Sequence, residues 1–447
     1  MIKWNQKFNL TLLTKLPENG FSLDELVYKT KKMFEEDGQT GFLTVLLGLL
    51  DQIVYSSEAR KNKARKCCSE SYYVVSGKEF KRIMTSIGEL YIPWTRLKCK
   101  ACGKSFIPLR EYLGVEPHQP KSSELEKIVM EVVSEQSYRR SSQHIESIGC
   151  LPIPHTRLHR WVAKSDCDEI NQTKRVKTLI ADGTGFKKKL DFEGSNRGEV
   201  RVVVGVTKEG KVTPYGAWSE DAWMDIGKEL KDSNPTNKKI KYKPIADMFV
   251  SDGEEGLIRA FKPITKEQQR CTWHLTRELY GPLRINDGAS LKETRILQSE
   301  LAGIIDIKLP EKDFDKVKLE EKLNLEAETF KAEKALDDYS NSLFEKGYDQ
   351  AAKYILNAKK NIFSYVKMWL KTGLANPRVS SMIERMMREV GRRIKKIGFG
   401  WRPDNAAKMT RIIIKRITSA DEWSAYWKKK LNFSGEVEVQ FLGCNLV

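Results

Sequence analysis

The stretch whose reading decides the fold is ADMFVSDGEEGLIRAF, residues 246–261. Its apolar run, Met248-Phe249-Val250, has the length of a buried strand. The run stops at Asp252-Gly253, a pair that favours a turn, and a helical pattern follows. Strand, turn and helix in that order build an α/β sheet, whose ligands collect beyond the strand ends. Asp252 therefore has two readings: a turn former, or a carboxylate aimed at a metal ion. Glu254 and Glu255 are expected on the first helical turn, where the helix dipole favours them. Gly253 is expected to let a metal and a phosphate approach the backbone.

Working outward, TLIADG (178–183) repeats the same grammar, an apolar strand followed by Asp182-Gly183. Residues 176–185, 199–210 and 211–219 read as three strands, with a tight hairpin at Glu209-Gly210 between the last two. Two carboxylates at one site repel each other unless a cation sits between them. Mg²⁺ suits such a pair because it accepts one or two carboxylates and keeps positions for water and phosphate. A third carboxylate is available in NPRVSSMIERMMREVGRRIKKIGFGWR (376–402), where Glu384 stands among Met382, Ile383, Met386 and Met387. A glutamate in that position is otherwise solvent-facing or paired with Arg388 one turn on. Arg385, Arg388, Arg392 and Arg393 follow it, either as a solvated face or as cations for a phosphodiester. Between the second and third carboxylates lies CTWH (271–274). No partner pair lies near Cys271 and His274 in sequence, so they are expected to pack against the site and not to form a metal knuckle.

The whole chain of 447 residues is long enough for two or three domains. It is 40% hydrophobic and 31% charged, with 78 Lys and Arg against 60 Asp and Glu, a formal charge of +18. That balance suits a nucleic-acid partner, because cationic side chains displace counterions from phosphates. No run approaches the roughly 18–20 apolar residues of a membrane span. The apolar segment 41–54 is too short and too far along to be a signal peptide, so a cytoplasmic protein without membrane association is expected. Eight cysteines in such a chain argue against a disulfide framework.

The order Asp182-Gly, strand hairpin, Ser251-Asp252-Gly253, Cys271-x-x-His274, a helical stretch, then Ser381-x-x-Glu384-Arg385-x-x-Arg388 resembles the DDE transposases of bacterial insertion sequences, the Mutator-like superfamily. The resemblance covers about residues 175–400. It implies an α/β fold with an RNase H-like mixed-sheet catalytic core, in which Asp182, Asp252 and Glu384 hold two Mg²⁺ or Mn²⁺ ions. Cys271 and His274 match a family motif and are expected to support that site or to position DNA. The implied activity is binding of the element's terminal inverted repeats, metal-dependent cleavage and strand transfer into target DNA, carried out by a homo-oligomer. Gly391 stands where the family tends to carry a basic residue, with Arg388 and Arg392 on the turns to either side. Ser381-Met382 replaces the usual Asn before Ile-Glu-Arg. An RNase H-like nuclease, and a transposase-derived DNA-binding protein with idle carboxylates, are the alternatives.

Residues 1–65 read as an N-terminal helical region, including a capping box from Ser22 to Glu25. Residues 66–112 read as a zinc-ribbon-like segment of small strands. Within it, Cys99-x-x-Cys102 is half a zinc site, and Cys67 with Cys68 is the candidate second pair. Adjacent cysteines make an awkward chelate, so a degenerate, metal-free ribbon is the alternative. Residues 121–165 fit a helix-turn-helix with helices at 123–135, about 139–148 and 155–164. The third would offer His155, Thr156, Arg157, His159 and Arg160 to a major groove, with Trp161 and Val162 in the core; a helical linker is the alternative. The catalytic core would span 175–284 and 373–447, with a helical insertion at 285–372.

Overall fold

The computed structural model describes residues 34, 38–60, 67–69, 72–149, 151–189, 196–233, 244–396 and 399–431. The capping box at Ser22 and Glu25 lies outside them. The chain divides into an N-terminal unit, residues 1–129 with 138–158, and a C-terminal unit, residues 130–137 with 159–447.

In the N-terminal unit, helix α1 (Gln39–Arg60) precedes strands β1 (Tyr73–Thr85), β2 (Gly88–Cys99) and β3 (Ser105–Phe106), with a short helix α2 (Pro108–Tyr112) after them. The small strands expected from sequence are one long antiparallel hairpin, because Lys78–Thr85 pairs residue by residue with Gly88–Thr95. Leu90, Ile92 and Trp94 alternate inward on β2 and bury against Leu47, Ile83, Ile107 and Leu109. Each such side chain contributes about 1.5–3 kcal/mol by leaving water. Asp51 fixes the contact between α1 and β2, its carboxylate accepting both the backbone N–H and the hydroxyl of Thr95. Three helices follow in the chain, α3 (Ser123–Glu135), α4 (Tyr138–Gly149) and α5 (His155–Lys164), close to the positions expected; residues 130–135 of α3 and 159–164 of α5 are counted with the C-terminal unit. Ser122 caps α3 by accepting the N–H of Leu125. Pro152 and Pro154 keep residues 151–154 out of a helix.

The C-terminal unit is built on a five-stranded mixed sheet of β4 (Val176–Lys187), β5 (Arg197–Val206), β6 (Val212–Ser219), β7 (Ala246–Ser251) and β8 (Thr265–Arg270), in the order β6-β5-β4-β7-β8. The first three strands form an antiparallel meander, and Gly210 at φ +79° makes the expected hairpin turn. β7 and β8 then add in parallel beside β4. Parallel strands need crossovers, supplied by α6 (Trp223–Asp232) and α7 (Glu255–Phe261). All six residues of β7 are buried, as expected for a parallel strand in the sheet interior. Leu179, Val203 and Phe249 pack against Trp223, Ile226, Leu230 and Phe261, and the Phe249 and Phe261 rings stack 4.4 Å apart.

After α8 (Thr272–Glu278), residues 291–372 carry α9 (Leu291–Ile304), α10 (Leu319–Glu345), α11 (Asp349–Lys359) and α12 (Ser364–Thr372), and this described stretch contains no strand. Its helical character is the one expected of residues 285–372. The stretch ends where Gly373, at φ +73°, caps α12 in the left-handed conformation. Three helices complete the unit, α13 (Ser381–Ile394), α14 (Pro403–Thr418) and α15 (Ala420–Leu431). α13 packs on β4, and α14 packs on β5 and β6. Among the described residues, no helix is long and apolar enough to cross a membrane.

Candidate active site

The parallel pairing of β4 and β7 sets Ile180 beside Val250, so Asp182 and Asp252 follow two residues on along neighbouring strands. The two then behave differently. β7 stops at Ser251 and the chain turns: Asp252 Oδ1 accepts the N–H of Glu254 at 3.0 Å and Gly253 takes φ +88°. Asp252 is thus a turn former as well as a carboxylate at a strand end. Asp182-Gly183 is not a turn but lies inside the strand, as expected from reading residues 176–185 as one strand. β4 runs on to Lys187 because β5 keeps pairing with it, Asp182 opposite Val202. Gly253 also differs from expectation. A Cβ there would lie 1.3 Å from Arg270 Nη1, so the neighbour it makes room for is the Arg270 guanidinium.

Glu384 arrives from the first turn of α13. In place of an ion pair with Arg388, its Oε1 accepts from the Ser380 hydroxyl at 3.3 Å. Ser380 Oγ also lies 3.1 Å from His274 Nδ1, and the Ser380 N–H donates to Cys271 Sγ at 3.4 Å. The Cys-x-x-His motif therefore folds as Cys271 at the N-cap of α8 and His274 one turn inside, both buried against the residue that holds Glu384. Burial pushes the Cys271 thiol up, but hydrogen bonds from His274 and Ser380 outweigh this and hold it below its ordinary value. His274 is pulled down by burial and raised overall by Cys271 and Glu278.

The electrostatics link these groups. Burial raises the Asp182 carboxyl to about 6, opposed by the Gly183 N–H and by His274, and reinforced by the charges of Asp252 and Glu384. The other two sequence-predicted carboxylates, and the His of the motif, thus all act on Asp182. Sequence reasoning missed part of this edge. Glu254 stands at the N-cap position of α7 without a side-chain capping bond, and its carboxyl is raised by burial and by Asp252 and Glu199. Glu199, paired with Arg201 at 2.7 Å, occupies the space a Cβ on Gly183 would need. Adjacency to Asp252 was the available signal for Glu254; Glu199 had none, since its placement depends on strand register. Glu255 is exposed and pairs with Arg259.

The cationic residues divide sharply. Arg385, Arg388 and Arg392 face outward on α13, the last bonded to Glu389. Arg393 is 2% exposed, donates from Nε to the Val133 carbonyl at 2.7 Å, and lies 4.7 Å over the Trp401 ring. It is a packing residue and not a phosphate contact, because it shares the buried helix face of Ile383, Met386 and Val390. A Cβ added to Gly391 would meet no described atom within 4 Å. Gly391→Ala should therefore raise stability to denaturant by roughly 0.5–1 kcal/mol, the helix-propensity difference.

On α5, His155, Thr156 and Arg160 are exposed, while Trp161 and Val162 are buried as expected. Two of the predicted groove residues face inward instead. Arg157 Nη1 contacts Met84 Sδ at 3.1 Å. His159 Nε2 lies 3.2 Å from Asn405 Nδ2, and burial with the Arg402 charge lowers its pKa. In the N-terminal unit, Cys67, Cys68, Cys99 and Cys102 come together, their four Sγ atoms within 4.8 Å of one another.

Comparison with known proteins places the chain near one group. A profile described as an uncharacterised protein family (UPF0236) matches residues 16–189, which take in the four cysteines and Asp182 but stop before Asp252 and Glu384. Three UPF0236 proteins of Caldanaerobacter subterraneus subsp. tengcongensis are 22%, 24% and 27% identical to it over 267, 265 and 265 residues. Those matches cover 56%, 57% and 57% of this chain and 54%, 53% and 51% of the relatives. The chain spans about half the length of the curated relatives it matches and is similar, over that half, to UPF0236 proteins.

Proposed function

We propose that the protein is a DDE transposase of an insertion sequence, with an RNase H-like core in its C-terminal unit. The observation that carries this reading is the position of half-buried Asp182, two residues beyond the Ile180–Val250 pairing of parallel β4 and β7, with the charges of Asp252 and Glu384 acting on it. An antiparallel meander whose first strand pairs in parallel with β7, which in turn pairs in parallel with β8, is the mixed sheet such a core requires. The insertion of helices before the strand-packed helix of Glu384 fits the same order.

Among the described residues, only the four cysteines stand close enough together to share one ion as they are, so a divalent cation at the carboxylates would have to draw them together. The donor set is all carboxylate oxygen, which suits Mg²⁺ or Mn²⁺ better than a soft metal, and three like charges on one edge are relieved by a cation. Asp182, Asp252 and Glu384 would hold it, as a pair of ions. When bound, the ions supply activation of the attacking oxygen and stabilisation of the leaving one. The chain itself does the positioning. Ser380 orients Glu384, the Cys271–His274 pair holds Ser380, and Arg385 and Arg388 supply cations to the phosphate backbone. α3, α4 and α5 form the helix-turn-helix that binds the inverted repeats, with His155, Thr156 and Arg160 toward DNA. The acting form would be a homo-oligomer on paired ends.

The test is incubation of the full chain with labelled duplex carrying the DNA ends that flank its gene, in Mg²⁺ or Mn²⁺. Cleavage at the end and joining of the freed 3′-OH to a second duplex are expected. Cleavage without joining favours a nuclease, and binding without either overturns the catalytic reading. Ser380→Ala should slow cleavage about tenfold, one hydrogen bond to a charged group, at unchanged DNA affinity. Ser380→Thr, which keeps the hydroxyl, should restore most of the rate.

A further inference from the structure

We propose that Cys67, Cys68, Cys99 and Cys102 bind one zinc ion that closes the open end of the β1–β2 hairpin. The four Sγ atoms all lie within 4.8 Å of one another. The separations are 3.9 Å for Cys67–Cys68, 3.8 Å for Cys68–Cys99 and 3.2 Å for Cys67–Cys102. A tetrahedron with Zn–S bonds of about 2.3 Å has edges of about 3.8 Å. Two of these pairs already match, and the third needs to open by about half an ångström. A disulfide needs about 2.05 Å, so the nearest pair is more than an ångström too far apart for one.

The backbone is arranged for such a site. Cys99 N–H donates to the Lys104 carbonyl at 2.8 Å and Gly103 N–H to the Cys99 carbonyl at 3.0 Å. Gly103 takes φ +75°, which closes a knuckle between β2 and β3 with Cys99 and Cys102 on one side. Cys99 is fully buried beside Tyr73 and Leu97, with Phe106 edge-on to Tyr73. The adjacent pair, awkward on spacing alone, becomes workable because β1 pairs Tyr73 with Cys99, which sets the residues just before β1 against the knuckle. Four thiolates select zinc over the hard cations suited to the carboxylates. The zinc ties residues 67–68 to the β2–β3 turn across the end of the hairpin opposite Gly88. This site is independent of the transposase reading.

The test uses the full chain purified without chelator, its metal content measured by elemental analysis. One zinc per chain is expected, lost in Cys67→Ser and in Cys102→Ser and kept in Cys167→Ser, a buried cysteine outside the cluster. Because a cysteine variant could fail to fold, wild-type protein supplies a second reading. Chelation should expose four additional alkylatable thiols, mapped by mass spectrometry to these positions. Co²⁺ refilling the site should give the charge-transfer and ligand-field absorption of tetrahedral thiolate cobalt. Wild-type chain that contains no zinc and gives no thiolate–cobalt absorption overturns the proposal. So does iron in place of zinc, a Cys67–Cys102 disulfide in the native protein, or a full wild-type complement of zinc in the Cys67→Ser and Cys102→Ser variants.

Discussion

Asp182→Asn, Asp252→Asn and Glu384→Gln should each lower metal-dependent cleavage of end DNA by roughly a thousandfold or more, with DNA affinity retained. The amides are close in shape to the carboxylates, so packing is little disturbed. What changes is the charge that a divalent ion needs: an amide oxygen is a weak ligand for Mg²⁺, and losing one of three ligands removes several kcal/mol of charge stabilisation. Each factor of ten in rate corresponds to about 1.36 kcal/mol. Single-turnover cleavage with wild type and each variant, next to a gel-shift titration of the same duplex, separates catalysis from binding. Activity within tenfold of wild type in any variant would remove that residue from the site. The expected pattern also distinguishes the three from Glu254, which touches the same edge but whose Gln variant should keep most of the rate.

In metal-free protein, Asp182 should make stability fall as pH rises, and Mg²⁺ should reverse the fall. Its carboxyl is raised to about 6 by burial and by the charges of Asp252 and Glu384, against about 3.9 in an unfolded chain. The folded state therefore holds this proton more tightly. The associated stability is fully present below about pH 4 and is lost as pH rises through 6. Two pKa units correspond to on the order of 2–3 kcal/mol. In EDTA, Asp182→Asn should gain on wild type by about that amount at about pH 7.5, and the advantage should shrink toward about pH 5. Millimolar Mg²⁺ should raise the wild-type melting temperature and leave the variant nearly unmoved. Denaturant melts at several pH values, with and without Mg²⁺, check this. A difference between wild type and variant that does not change with pH would show that Asp182 is not the group responsible.

The central part of this site is legible in local pattern. Met248-Phe249-Val250 before Asp252-Gly253 marks a strand that ends, and strand, turn and helix follow in that order. Asp182 stands on the neighbouring strand, which runs past it as the reading of residues 176–185 implies. Its continuation to Lys187 depends on β5, a partner whose register no local window contains. Arg393 shows the opposite case, since the signal is present. Ile383, Met386, Val390 and Arg393 recur at helical spacing, and the phase puts Arg393 inside. Its charge suggests a phosphate contact, whereas the Val133 carbonyl and the Trp401 ring accommodate it in the interior. Arg157 and His159 depart from expectation for the same reason: on α5 the polar side chains alternate between solvent and packed surface with the helical period. Spacing alone argues against the adjacent cysteines as a pair. The hairpin register from Tyr73 to Cys99 decides their meeting with Cys99 and Cys102, and that is a long-range fact.

The most direct test of the carboxylate site is metal-directed cutting of the chain itself. Fe²⁺ in place of Mg²⁺, with ascorbate and peroxide, generates radicals that sever the backbone beside the bound ion, and the fragments can be sized and sequenced. Cuts clustered around residues 182, 252 and 384, suppressed by excess Mg²⁺ and lost in Asp182→Asn, are the expected result. Cuts that fall only near Cys67–Cys102, or that persist unchanged in excess Mg²⁺, would contradict a divalent-ion site built from Asp182, Asp252 and Glu384.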